Sequence, residues 1–185
     1  MKTLNYISAT ALVLSVAGCS SVNVKEYSHD LPTLQLETYL NGTLDAYGIF
    51  KDRAGRVKKR FHCLIQASWR EGVGTMDEKF DYSDGTHSQR VWTLRKQADG
   101  KYIGTAADVV GQATGEVAGN TFRWNYVLDL DVDGSHYQVN FDDWMYLMDE
   151  RVMLNHSKMS KWGVALGEVI LSFYKRADAG PERVR

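Results

Sequence analysis

Two adjacent carboxylates, Asp142 and Asp143, followed by Trp144, form the sharpest local concentration of chemistry in the chain. Successive side chains on a strand point to opposite faces, so one of the pair must look inward or sit at a strand end. Asp143 shares its parity with Tyr137, Val139, Phe141, Met145 and Leu147, and therefore with the apolar face. A carboxylate placed there needs a cation or hydrogen-bond donors, because burial without them is costly. Arg90, on the parity of Trp92 and Leu94, is the cation that the pattern offers, and Asn155, Lys161 and Asp108 are further candidates. Such a patch can recognise the polar group of a ligand inside or at the mouth of a barrel. The same residues can also make a structural ion pair, and the sequence leaves both readings open. Trp92, Trp124 and Trp144 belong to a larger aromatic set that either fills a core or lines a ligand cavity.

Other chemistries find little in the chain. Asp129-Leu130-Asp131-Val132-Asp133-Gly134 imitates the start of a calcium loop, yet Asn140 stands where such a loop needs its bidentate Glu, and the flanks read as strands. An exposed hairpin is the expectation there. The histidines are scattered without zinc-site spacing, and neither a Cys-x-x-Cys pair nor a Gly-x-Ser-x-Gly elbow occurs. No metal, cofactor or catalytic residue is expected. Lys and Arg total 22 against 23 Asp and Glu, and the one basic cluster, Arg56 to Arg60, reads as a strand start. Nucleic acid is therefore not an expected partner.

The N-terminus makes a separate statement. Lys2, an apolar run from Ile7 to Ala17 too short to cross a bilayer, and Val16-Ala17-Gly18-Cys19 form an export signal closing on a lipid-attachment site. Residues 1–18 are read as a lipoprotein signal peptide and Cys19 as the acylated residue. Ser20, rather than Asp, after the Cys points by the lipoprotein sorting rule to the periplasmic face of the outer membrane. Residues 19–35, with Pro32 and little periodicity, read as lipidated N-terminus and a tether with a short ordered end, 36–176 as one domain, and 177–185 as a disordered tail. Cys63 would be the one thiol left, so no internal disulfide is available and the domain must rely on its core.

The positioning elements are strands. Phe122 to Leu130 alternates apolar and polar residues, and turn signals such as Ser83-Asp84-Gly85-Thr86, Ala98-Asp99-Gly100-Lys101 and Val132-Asp133-Gly134-Ser135 divide the chain regularly. Strands are predicted at 42–51, 56–69, 73–82, 86–97, 101–107, 112–118, 120–131, 135–147 and 163–175, with a shorter one near 151–156. A meander of this kind predicts an all-β, up-and-down antiparallel barrel, whose closure removes the exposed edges. Gly104, Gly111, Gly115 and Gly119 are read as marks of bulges or sharp curvature.

Gly72 to Tyr82, Arg90-Val91-Trp92, Tyr102 to Gly111, Trp124-Asn125-Tyr126, Phe141 to Leu147 and Asn155 to Gly163 together resemble the lipoprotein family called domain of unknown function 3833. The resemblance spans nearly the whole chain after Cys19. It implies a calycin-like, lipocalin-related barrel in Gram-negative envelopes beside enzymes that modify membrane fatty acids, and it supplies no catalytic residues. The Gly-x-Trp opening of lipocalins is absent, Gly42-Thr43-Leu44 standing in its place. The expected role is binding or handing over a fatty-acid or other lipidic ligand from a membrane-anchored position. A filled barrel docking on an envelope partner, or an enzyme using Asp143 or Asp108, are the alternatives.

Overall fold

Alternation along each segment does close into a barrel. The computed structural model describes residues 22–132 and 134–177, and among them ten strands run in sequence order: β1 (Gly42–Asp52), β2 (Val57–Arg70), β3 (Val73–Tyr82), β4 (His87–Lys96), β5 (Tyr102–Thr105), β6 (Ala113–Ala118), β7 (Thr121–Val132), β8 (Ser135–Leu147), β9 (Val152–Lys161) and β10 (Val164–Lys175). Each pairs antiparallel with its neighbours, and β10 returns to β1 from Leu44↔Lys175 to Asp52↔Gly167. The segment expected to hold only a short strand near 151–156 is the full-length β9. Of its four inward positions, Met153, Asn155, Ser157 and Met159, the middle two are small or polar, which weakens the apolar signal. The signal peptide, Cys19 and the tail beyond 177 lie outside the described residues.

One end of the barrel is plugged. The single-turn helix α1 (Leu36–Tyr39) inserts Leu36, Tyr39 and Leu40 into the core, and the Tyr39 hydroxyl donates to the Arg151 carbonyl at 3.1 Å. The stretch read as a tether with a short ordered end is ordered throughout its described residues, 22–35. A 3₁₀ turn at Val24–Tyr27, capped reciprocally by Asn23 and Glu26, lies on β6 and β7 as a strap. Val24 and Leu34 are its buried anchors, and Leu34 N–H donates to Gly119 O at 2.8 Å. Two anchors ten residues apart leave no periodicity for a sequence reading to catch.

Glycines inside the wall make room for rings. Gly48 pairs across strands with Phe61, Gly74 with Trp69, and Gly115 with Trp124, and a Cβ on any of the three would meet the ring at 2.6 Å or less. Gly104 also lies under Trp124. Gly104 and Gly115 are thus ring seats, while the register shifts fall elsewhere, at Phe50/Lys51 and Ala165/Gly167.

The wall has one weak course. β5 and β6 are short, so the β4 residues before Thr93 and the β7 residues after Asn125 have no strand between them. The 106–112 loop fills that gap. It joins β7 through Val110 N–H to Val127 O and Asp129 N–H to Asp108 O, each at 2.9 Å, and a bridge pairs Val109 with Leu128.

Gly119 has φ +55°, and a Cβ there would come within 1.8 Å of Tyr27 O. Gly119→Ala is therefore expected to lift the strap off the barrel. Hydrogen exchange should show faster exchange at Leu34 N–H while the barrel amides stay protected, with a lower Tm.

Candidate ligand cavity

The barrel interior is open along its axis. A cavity of about 1150 Å³ runs from Leu40, above the α1 plug, to a mouth ringed by Lys58, Thr86, Val132 and Lys161. This is at or above the ~300–1,000 Å³ usual for small-molecule sites. Its wall is mostly apolar, with Ala46, Ile65 and Leu94 toward the plug and Phe50, Phe61, Leu130, Val139 and Val169 on the mouth side. A groove of about 510 Å³ beside the strap, between Val22–Val24 and Arg123–Asn125, is a separate surface feature.

A polar cluster interrupts this lining midway along the barrel. β8 brings in Asp143, between Phe141 and Met145 on the inward face. Tyr126 on β7 donates its hydroxyl to Asp143 Oδ2 at 3.0 Å, and Ser157 on β9, directly across the ladder, donates to Oδ1. Asn155, two residues along β9, is buried beside Asp143, and its Oδ1 has no hydrogen-bond partner among the described residues. From the opposite side, Arg90 on β4 donates to Asp108 three times, Nε at 3.0 Å to each carboxylate oxygen and Nη2 at 2.7 Å to Oδ2. Its Nη1 lies 3.9 Å from Glu78, the cross-strand partner on β3.

The electrostatics follow from burial. Glu78 is pushed up to about 7, because burial penalises its charge more than Arg90 and the Trp92 indole support it. Asp143 is pushed up to about 6 by burial, against the pull of Ser157, Tyr126 and Asn155. Tyr126 rises well above its ordinary value, again through burial first. The Cys63 thiol is pushed well up by burial and then by Glu78, which removes its nucleophilic thiolate.

The family model described as protein of unknown function (DUF3833) matches residues 13–175. The chain belongs to the DUF3833 family. No curated protein matches it. Among solved structures it is similar to an S-type phycobiliprotein lyase from Guillardia theta, with a TM-score of 0.56 and 10% identity over 77% of this chain and 90% of that chain. At that identity the likeness concerns the fold, an all-β barrel of lipocalin-like architecture.

Within the DUF3833 barrel, the residues singled out from sequence divide into three groups. Arg90, Trp92, Trp124, Asp143 and Asn155 all line the cavity, and Asp108 reaches Arg90 from the 106–112 loop. The cluster sits midway along the barrel rather than at its end. Lys161 lines the mouth, four residues along β9 from Ser157, with its ammonium over the rings of Tyr137 and Trp162. Trp144 corrects the sequence reading. It has the outward parity of Asp142 and is 9% exposed because the strap covers it, Tyr27 packing edge-on at 6.0 Å with the Arg123 guanidinium above the ring. Asp142 is held outside by Arg123 and Asn125. No group of carboxylates, His and Cys fit to hold a metal occurs among the described residues. Asp131 instead caps its own turn through Gly134 N–H, and Asp133 lies outside the described residues.

Sequence reasoning missed Glu78, Tyr126 and Ser157. Glu78 was legible in principle, since it lies between Met76 and Phe80 on an apolar parity. A carboxyl raised on folding contributes stability that is fully present below its unfolded value, 4.5 for Glu78, and is lost as pH rises through about 7. Glu78→Gln, neutral throughout, is expected to match wild type below 4.5 and to exceed it above 7 by up to ~3 kcal/mol. Tm measured across that range checks the sign.

Proposed function

We propose that this barrel binds an elongated apolar ligand along its axis, with one polar group of the ligand at the Asp143–Asn155 cluster, and holds it for handover. The observation that carries the reading is the cavity, open from the α1 plug to the mouth and apolar along most of its wall. A filled barrel serving only as a docking body has less support, because Phe61, Trp69 and Trp124 lie over glycines in the wall and a cavity of about 1150 Å³ remains along the axis. The similarity in fold to a phycobiliprotein lyase is compatible with ligand handling.

The setting belongs to the same proposal. The lipobox ending at Cys19 supports an envelope lipoprotein with an N-terminal lipid anchor, and Ser20 after it supports the periplasmic face of the outer membrane. The mouth suits a lipid surface. Trp162, 89% exposed at the tip of the β9–β10 hairpin, stands with Val164, Val132 and Tyr137, and Lys58 and Lys161 lie at the same end. Exposed aromatic and basic side chains in one rim match the interface between acyl chains and anionic headgroups.

Two measurements test the reading. N-phenylnaphthylamine should bind the full chain saturably, with Met159→Trp, which fills the mouth half of the cavity, weakening binding roughly tenfold or more at little cost in Tm. An absence of saturable binding by wild type overturns the cavity reading. For the rim, brominated lipids in vesicles should quench the indole fluorescence of the reconstituted chain, and Trp162→Phe should remove most of that quenching. Equal quenching in both proteins would take the mouth away from the membrane.

A further inference from the structure

We infer that the interior cluster receives a hydrogen-bond-donating group of the ligand, a hydroxyl, an amine or another N–H, and discriminates against a carboxylate. The inference rests on the cavity reading and specifies the polar end of that ligand. It runs against the first expectation for a barrel with an inward Arg, which is that the guanidinium clamps an acid.

Arg90 is committed to Asp108 through two of its three nitrogens. Its Nε and Nη2 are spent on Asp108 in a forked arrangement, and its remaining nitrogen lies 3.9 Å from Glu78. Counting the charged groups at this depth, Glu78, Asp108 and Asp143 surround the single cation Arg90, and Lys161 stays at the mouth. An incoming carboxylate would be a further anion at a site where carboxylates already outnumber the cation. In an apolar enclosure that juxtaposition is costly.

Apart from Arg90 Nη1, which faces Glu78, the groups left over are acceptors. Asn155 lines the cavity, and its Oδ1 is buried with no donor among the described residues, a state that a rotation of the side chain toward an incoming donor would relieve. Asp143 accepts from Tyr126 and Ser157 but keeps further lone pairs, and it too borders the cavity. Both acceptors stand on adjacent strands, with Asn155 opposite Met145 and Asp143 opposite Ser157 in the ladder. A single donor group with two hydrogens, or a hydroxyl assisted by water, can serve both. A ligand acid can satisfy neither while ionised.

The experiment is competition for N-phenylnaphthylamine bound to the full chain, using lauryl alcohol, laurylamine and lauric acid, equal in chain length and differing in the polar group. The alcohol and the amine are expected to displace the probe at concentrations roughly tenfold or more below the acid. Asp143→Asn should then lower the advantage of the amine over the acid to about threefold or less, while the alcohol is little changed. Asn155→Leu, which keeps the volume and removes the acceptor, should weaken the alcohol. Amine ahead of alcohol assigns the dominant contact to Asp143, and parity between them assigns it to Asn155. Lauric acid displacing as well as the other two overturns this inference and leaves the cavity reading standing. Failure of all three, with no saturable probe binding, overturns the cavity reading and this inference together. If Asp143→Asn does not fold, the wild-type ranking alone decides.

Discussion

The bond between Arg90 and Asp108 is the contact on which the rest of the barrel wall depends. A guanidinium inside an apolar enclosure cannot be left alone, since its desolvation would cost several kcal/mol, and it cannot lose its proton to escape. It must find carboxylates. The nearest strand supplies Glu78, and the fork that completes the pairing comes from a loop. That loop replaces a strand where β5 and β6 stop short, and it is hydrogen-bonded through its backbone to β7. On the β4 side it is held through the Arg90 side chain. One side-chain fork therefore stands where the barrel lacks a backbone ladder, and the same fork determines which charges the cavity presents.

The open interior has an equally local cause. A barrel of ten strands must do something with its inward aromatics, and here Phe61, Trp69 and Trp124 each lie against a glycine on a neighbouring strand. A ring seated on a glycine lies against the wall, so its area is buried without its bulk reaching across the axis. The apolar residues separate into two groups. The larger gathers around α1 and the plugged end, and a smaller one of Leu128, Val139, Phe141 and Met159 lies toward the mouth. Asp143, Asn155 and Ser157 fall between them. Chain economy contributes as well, because the plug that seals one end is a single helical turn and leaves the long axis unfilled.

Much of this was legible in the sequence because it follows from a period of two. The inward parity of Arg90, Trp124 and Asp143 is carried by their own neighbours along the strand, and the turn residues divide the strands without help from tertiary contacts. What parity cannot see is cover. Trp144 faces outward by alternation and is nevertheless buried, because a strap more than a hundred residues away in the chain lies over it. That strap has two buried anchors and no repeat, so it read as a tether with a short ordered end. The glycines misled for the same reason. In one strand Gly115 looks like a bend, and only the register that sets it opposite Trp124 reveals a seat. Glu78 was overlooked because a lone carboxylate among apolar residues is usually a surface position, and the partner that makes it tolerable lies across the ladder at Arg90.

The polar cluster is also a costly way to build this interior, and that gives it functional weight. Replacing a buried ion pair by apolar residues of similar volume is often neutral or stabilising. A barrel serving only as a scaffold would gain by such a change at Glu78 and Arg90 together. Instead the chain keeps two carboxyls whose burial raises them to about 7 and about 6, and an amide oxygen with no donor. The cost is concentrated on one band of the wall, beside a cavity wide enough to admit a ligand. Local rules fail together at sites where another molecule completes the structure. A donor arriving at Asn155 and Asp143 would relieve part of that cost at the moment of binding, so the barrel's own stability and its affinity for a ligand are drawn from the same few atoms.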